Sequence, residues 1–276
     1  MPGPGSAQAW QPWLRTAADL LWPQVCAGCG EPGSALCRLC GGTLDGRPSC
    51  RRWLDAGIPI PVWSAGTYAG LLRTLILMYK ERGVVGLRQP LARLLADCLM
   101  ASGSGTSSRP PPDLPADLAI HIVGVPTSPR ALRRRGGDPI AALIATAVGV
   151  GAGGGPLLSA PVGAGGGPPP QWRLCRSVRA HRARGDQSGR TAEQRRTAMI
   201  GALRVDPRRV RSGCTDIAHV IADDVVTTGA SAIATALALR GAGIPVAAVA
   251  CLADTPRCRP AVRAVDVRAK GRPLPA

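Results

Sequence analysis

The chain has 276 residues, enough for one medium domain with an appendage or for two small ones. Its net charge is +17 and nearly all of that is arginine, since Lys80 and Lys270 are the only lysines. With no Phe and two Tyr, the core must be aliphatic, and the scarcity of rings counts against a single-strand platform built on base stacking.

The basic excess has two readings of similar weight: phosphate-bearing partners, or a compositional bias towards Ala, Gly, Pro and Arg. Arg15 and Asp19 interrupt the stretch where a secretory signal would need an apolar core. Arg240, Gly243 and Pro245 break the most apolar late stretch, so no membrane span is expected, and the expected location is the cytoplasm.

In chain order, residues 1 to about 57 hold "CAGCGEPGSALCRLC", which sets Cys26, Cys29, Cys37 and Cys40 as two C-x-x-C pairs. Such a segment is too short and loop-rich to bury much core and needs a staple. Two thiolate pairs at this spacing can close a tetrahedral zinc site, with Gly28 and Gly30 easing the first knuckle. Disulfides are the alternative, disfavoured in a reducing compartment. Cys50 is followed by Trp53 where a C-x-x-C partner would stand, so a second site of that kind is not expected.

"PVWSAGTY" then reads as a strand, "LLRTLILMYKERG" as an amphipathic helix ending near Gly83, and "GLRQPLARLLADCLM" as a second helix. "ASGSGTSSRPPPDLP" is a loop. "LAIHIVGVP" has the continuous apolar character of a buried parallel strand. "SPRALRRRGGDPIAALIATAVG" reads as a basic loop running into a helix. Residues 149–170, with GAGGGP twice, read as a low-complexity insert. "QWRLCRSVRAHRARGDQSGRTAEQRR" is a strand leading into a very basic segment. "HVIADDVV", "SAIATALALRGAG" and "PVAAVACLA" follow as strand, helix and strand, and a tail covers 257–276. The alternation predicts an α/β domain over 58–256 with a parallel sheet. His121, His181 and His219 are scattered along the chain and none receives a role.

The chemistry concentrates at "VIADDVVTTGAS". The helix starting near Ala230 aims free amides at the preceding turn, so Thr227, Thr228, Gly229, Ala230 and Ser231 form a candidate phosphate cradle. Asp223 and Asp224 would repel a phosphate and suit sugar hydroxyls or Mg²⁺ carried by a polyphosphate. Phosphoribosyl pyrophosphate carries all of these groups. The plainer alternative is an ordinary strand–turn–helix with a Thr-rich cap. No Walker lysine follows the glycine, which removes the P-loop reading.

This stretch resembles the phosphoribosyl-pyrophosphate signature of type I phosphoribosyltransferases. The wider chain, over roughly residues 22–254, looks like the ComF family, in which an N-terminal zinc-ribbon-like module precedes a phosphoribosyltransferase-like parallel sheet flanked by helices. The resemblance implies Lys80 and Arg82 near the active-site hood, and Val125, Pro126, Arg130 and Arg135 facing the pyrophosphate. "DQSGRTAEQRRTAMIGAL" matches a later family segment, with Gln187, Arg195 and Gly201 in register. The chain departs where the family's Phe-Asn-Gln is Gly137, Asp138 and Pro139, and where an expected Asn is Ala198.

By resemblance, the reaction is displacement at the anomeric carbon of phosphoribosyl pyrophosphate, with Asp223 and Asp224 catalytic, Mg²⁺ on the diphosphate and structural zinc on the four cysteines. The acceptor is not legible. The competing expectation is a competence accessory that senses the same ligand, holds single-stranded DNA on its basic face and meets other competence proteins; the altered "RGGDP" loop favours it. A transcription regulator on the same fold would need a recognition helix, and none is apparent.

Overall fold

The computed structural model describes residues 25–44, 47–57, 59–104, 119–149, 171–180, 203–206 and 219–255. The low-complexity insert from 150 onward, the 257–276 tail, His181, Gln187, Arg195, Ala198 and Gly201 lie outside the described residues.

A short helix, α1 (Arg38–Gly42), closes the cysteine segment. A six-stranded sheet follows, built from β1 (Ser49–Asp55), β2 (Pro59–Thr67), β3 (Ala119–Gly124), β4 (Gln171–Leu174), β7 (His219–Val226) and β8 (Val246–Asp254), in the order β1-β2-β8-β7-β3-β4. All neighbours pair in parallel except the edge strand β1, which runs antiparallel to β2. β1 lies on the N-terminal side of the expected 57/58 boundary, so this hairpin spans that boundary and the sheet takes in residues 49–55. The strands β5 (Val178–Ala180) and β6 (Leu203–Val205) pair as a separate antiparallel ribbon.

Helices cover both faces, the arrangement that parallel strands with apolar residues on both sides require. On one face α2 (Gly70–Arg82), α3 (Arg88–Ser104) and α5 (Pro139–Ala147) pack on Ile120, Ile122, Val220, Ala222 and Leu252. On the other, α6 (Ala230–Gly241) packs on Val62, Val123, Ile221, Val249 and Cys251. In α2 the buried residues Leu72, Leu75, Ile76 and Tyr79 recur at helical spacing, which fixes the face it buries. Among the described residues the largest fully buried side chains are all Leu or Ile, as a chain without Phe requires. Each such side chain contributes about 1.5–3 kcal/mol relative to exposure.

The basic stretch expected as a loop is instead partly helical: α4 (Pro129–Arg135) is capped by Ser128, whose hydroxyl accepts from the Ala131 amide, with Pro129 in the first turn. A proline there costs no hydrogen bond and presets φ, so the arginines that follow are lifted onto a helix. No helix among the described residues is long and apolar enough to cross a membrane.

Candidate functional site

The chain order of the strands reverses between β3 and β7. After β3 the next strand is β4, on one side; after β7 the next is β8, on the other, while β3 and β7 are themselves neighbours. Open parallel sheets bind ligands in the crevice outside the carboxyl ends of the strands at such a reversal. A cavity of about 250 Å³ lies there, lined by the loop Val125–Ser128 after β3, by Asp223 and Asp224 of β7, by Ser231 of α6, and by Lys80 and Arg135.

Successive strand residues face opposite sides of a sheet, so the two aspartates have different surroundings. Asp224 is ion-paired with Lys80, which the last turn of α2 carries over the sheet edge. Asp223 sits on the α6 side, opposite Cys251 in register. Burial and the neighbouring Asp224 carboxylate push the Asp223 carboxyl well above the usual carboxylate range. Both carboxylates also accept backbone amides, Asp223 from Asp224 at 2.9 Å and Asp224 from Val225 at 2.8 Å, which holds their orientation.

An adjoining cavity of about 530 Å³ shares Lys80, Arg135 and Pro139 and adds Arg82, Arg88 and Arg134. The pair is in the size range of small-molecule sites, about 300–1,000 Å³. Glu81 binds both Arg134 and Arg135, and the Tyr79 hydroxyl donates to the Pro139 carbonyl at 3.2 Å, so the end of α2 is tied to α4 and α5 across this space. Asp138, the acid in the departing loop, caps α5 through the Ala141 amide and accepts from the Thr127 hydroxyl at 3.1 Å. Its charge is thus committed to local donors.

Of the expected phosphate cradle, Ser231 lines the cavity beside the acids, while Thr227 and Thr228 are exposed in the turn next to it. Gly229 is the N-cap of α6, with φ +79° and no side chain to take the first-turn amides, which have no acceptor within the helix. Thr228 Oγ1 accepts one of them, from Ala230, at 3.3 Å. Strand β1 braces this turn: the Arg52 guanidinium donates to the carbonyls of Val226 and Thr227, each at 2.7 Å, and Leu54 occupies the space a Cβ at Gly229 would need. Sequence spacing gave no sign of that brace, because 175 residues separate the partners. Val125, Pro126 and Lys80 line this cavity, and Arg130 is exposed on α4 outside its lining.

The Sγ atoms of Cys26, Cys29, Cys37 and Cys40 lie within 4.8 Å of one another, and Cys29 and Cys37 are 3.7 Å apart. A tetrahedral ion with Zn–S bonds of about 2.3 Å sets sulfur separations near 3.8 Å, so the cluster is compatible with a structural zinc. All eight described cysteines are free thiols. Amides of Gly28 and Cys37 donate to Cys26 Sγ, and that of Cys40 to Cys37 Sγ. The Cys37 amide, with that of Cys29, holds the Cys26 thiol down to about 6, whereas its sulfur neighbours, Cys37 first, push Cys40 up to about 12. A Cβ at Gly28 would stand 2.8 Å from Cys40 Sγ and 2.9 Å from Leu71 of α2, so only glycine passes between cluster and helix.

The structure also gathers two of the histidines that had seemed scattered: His121 of β3 and His219 of β7 are register partners, with Cys175 beside them. No protein-family model matches the chain, and no curated protein matches it.

Proposed function

We propose that the chain is a ComF-type phosphoribosyltransferase that binds phosphoribosyl pyrophosphate with Mg²⁺ and transfers the phosphoribosyl group to an acceptor. The observation that carries this reading is the cavity at the β3/β7 reversal, where two carboxylates, a lysine and a helix N-terminus converge. Asp223 and Asp224 would hold the ribose hydroxyls and offset the positive charge that develops on the ring. The turn 227–231 would anchor the 5′-phosphate through exposed amides and hydroxyls. Lys80 and Arg135 would take the diphosphate, together with Mg²⁺, whose hard-oxygen preference suits Asp223 and Asp224 and which would neutralise the departing charge. A lone pair of the acceptor forms the new bond to the anomeric carbon as the bond to the diphosphate oxygen breaks, and pyrophosphate leaves with that electron pair.

Pyrophosphate release from phosphoribosyl pyrophosphate across a panel of nucleobases tests the reading. Release that depends on one acceptor class supports transfer; tight binding with no release under any acceptor leaves a sensor and contradicts transfer.

The arginine-lined cavity beside the site favours a second reading, a competence accessory in which this basic edge holds single-stranded DNA. Its affinity would then fall steeply with added salt, because bound phosphates release counterions. A flat salt response removes it.

A further inference from the structure

We propose that His121, Cys175 and His219 form a second metal site, binding one zinc ion beneath the β3/β7 reversal. Parallel pairing sets His121 of β3 directly opposite His219 of β7, and strand alternation puts them on the same face as Val123 and Ile221. Cys175 follows β4 on the other side of β3, held there by its amide, which donates to the Ile122 carbonyl at 2.8 Å. Two adjacent strands and the residue that follows a third each supply one ligand. The donor atoms all lie within 4.8 Å of one another, with both histidines buried and Cys175 half-buried.

The separation of the ring nitrogens is compatible with an ion. Nδ1 of His121 and Nε2 of His219 are 3.3 Å apart, with the rings at 82° to one another. Two imidazoles bound to a tetrahedral ion at about 2.0–2.1 Å stand near 3.3–3.4 Å apart, so the pair that shares a hydrogen bond without an ion already has the separation zinc would set. Two imidazoles and a thiolate form a borderline donor set suited to zinc, and they are not a hard-oxygen site for Mg²⁺. Three protein ligands leave one tetrahedral position for a water or a ligand atom, as in open zinc sites. Cys175 also lines a cavity of about 410 Å³ at the carboxyl ends of β3 and β4. The ion would pin the edge strand β4 to β3 and β7.

The test uses the full chain, equilibrated with zinc and freed of loosely held ions, with the metal content measured by mass spectrometry. Two zinc ions per chain are expected in the wild type, one on each cysteine-bearing cluster, and one in Cys175→Ser and in His219→Gln. One ion in the wild type overturns the proposal, as do two ions in both variants. A second measurement does not depend on how the variants fold: in the metal-free wild-type chain, zinc should slow alkylation of Cys175 by about tenfold or more, because a ligated thiolate is masked. Equal alkylation rates with and without zinc overturn it. Neither readout involves a sugar phosphate, so the outcome is independent of the proposed transferase activity.

Discussion

Lys80, at the end of α2, forms an ion pair with Asp224, near the end of β7, and that pair closes the cavity at the strand-order reversal. Lys80 is 27% exposed and Asp224 15%, so the pair lies between an exposed and a buried one. Removing the lysine leaves Asp224 beside Asp223 with no other ion-pair partner among the described residues. Lys80→Met should therefore cost about 1–2 kcal/mol of stability, between the values for surface and buried pairs. Adding Asp224→Asn should restore part of it. Denaturant melts of the two single variants and the double variant check this: additive losses would show that the pair has no coupling.

Asp223 should be a stability cost at neutral pH. Its carboxyl is pushed up by burial and by Asp224. A raised folded value favours the folded state at pH below the unfolded carboxylate value of about 3.9, and that advantage is lost as pH rises through the folded value. Asp223→Asn should thus melt higher than the wild type at neutral pH, with the gap closing as pH falls towards 4. Thermal melts across that window read the outcome; a variant less stable than the wild type at pH 7 would contradict it.

Gly229 is held by two constraints, a left-handed backbone and the Leu54 side chain in its Cβ position. Gly229→Ala should lose about 1–2 kcal/mol to the backbone term and more to the clash. Leu54→Ala in the same chain should relieve only the clash, so the double variant should fall short of the sum of the single losses. Strict additivity would show that β1 does not brace the turn.

Gly28 separates the sulfur cluster from Leu71. Gly28→Ala should displace Cys40 and speed zinc transfer to a colorimetric chelator by about tenfold to a hundredfold, the usual effect of disturbing the surroundings of metal ligands. An unchanged transfer rate would place the ion elsewhere.

Local chemistry made much of this legible in the sequence. The two C-x-x-C pairs and the strand–turn–helix around Asp223 and Gly229 are contiguous, and their residues meet as the spacing implies. The covered apolar runs became a mostly parallel sheet because strands without a polar face need helices on both sides. What the sequence hid depends on register across distant strands. His121 and His219 meet only because β3 and β7 are neighbours, and Arg52 reaches the 227 turn only because β1 folds back on β2. The short helix α4 was hidden for another reason: its arginines carry no apolar period, and only its ends, the Ser128-Pro129 start and Gly136 at the stop, signal it.

Calorimetric titration of phosphoribosyl pyrophosphate with Mg²⁺ into the wild type and into the Asp223→Ala/Asp224→Ala variant tests the central claim most directly. Saturable one-site binding by the wild type, weakened at least about tenfold (1.4 kcal/mol) in the variant, is the predicted result. Absence of binding by the wild type, or equal affinity in the two chains, would contradict a site built on those carboxylates.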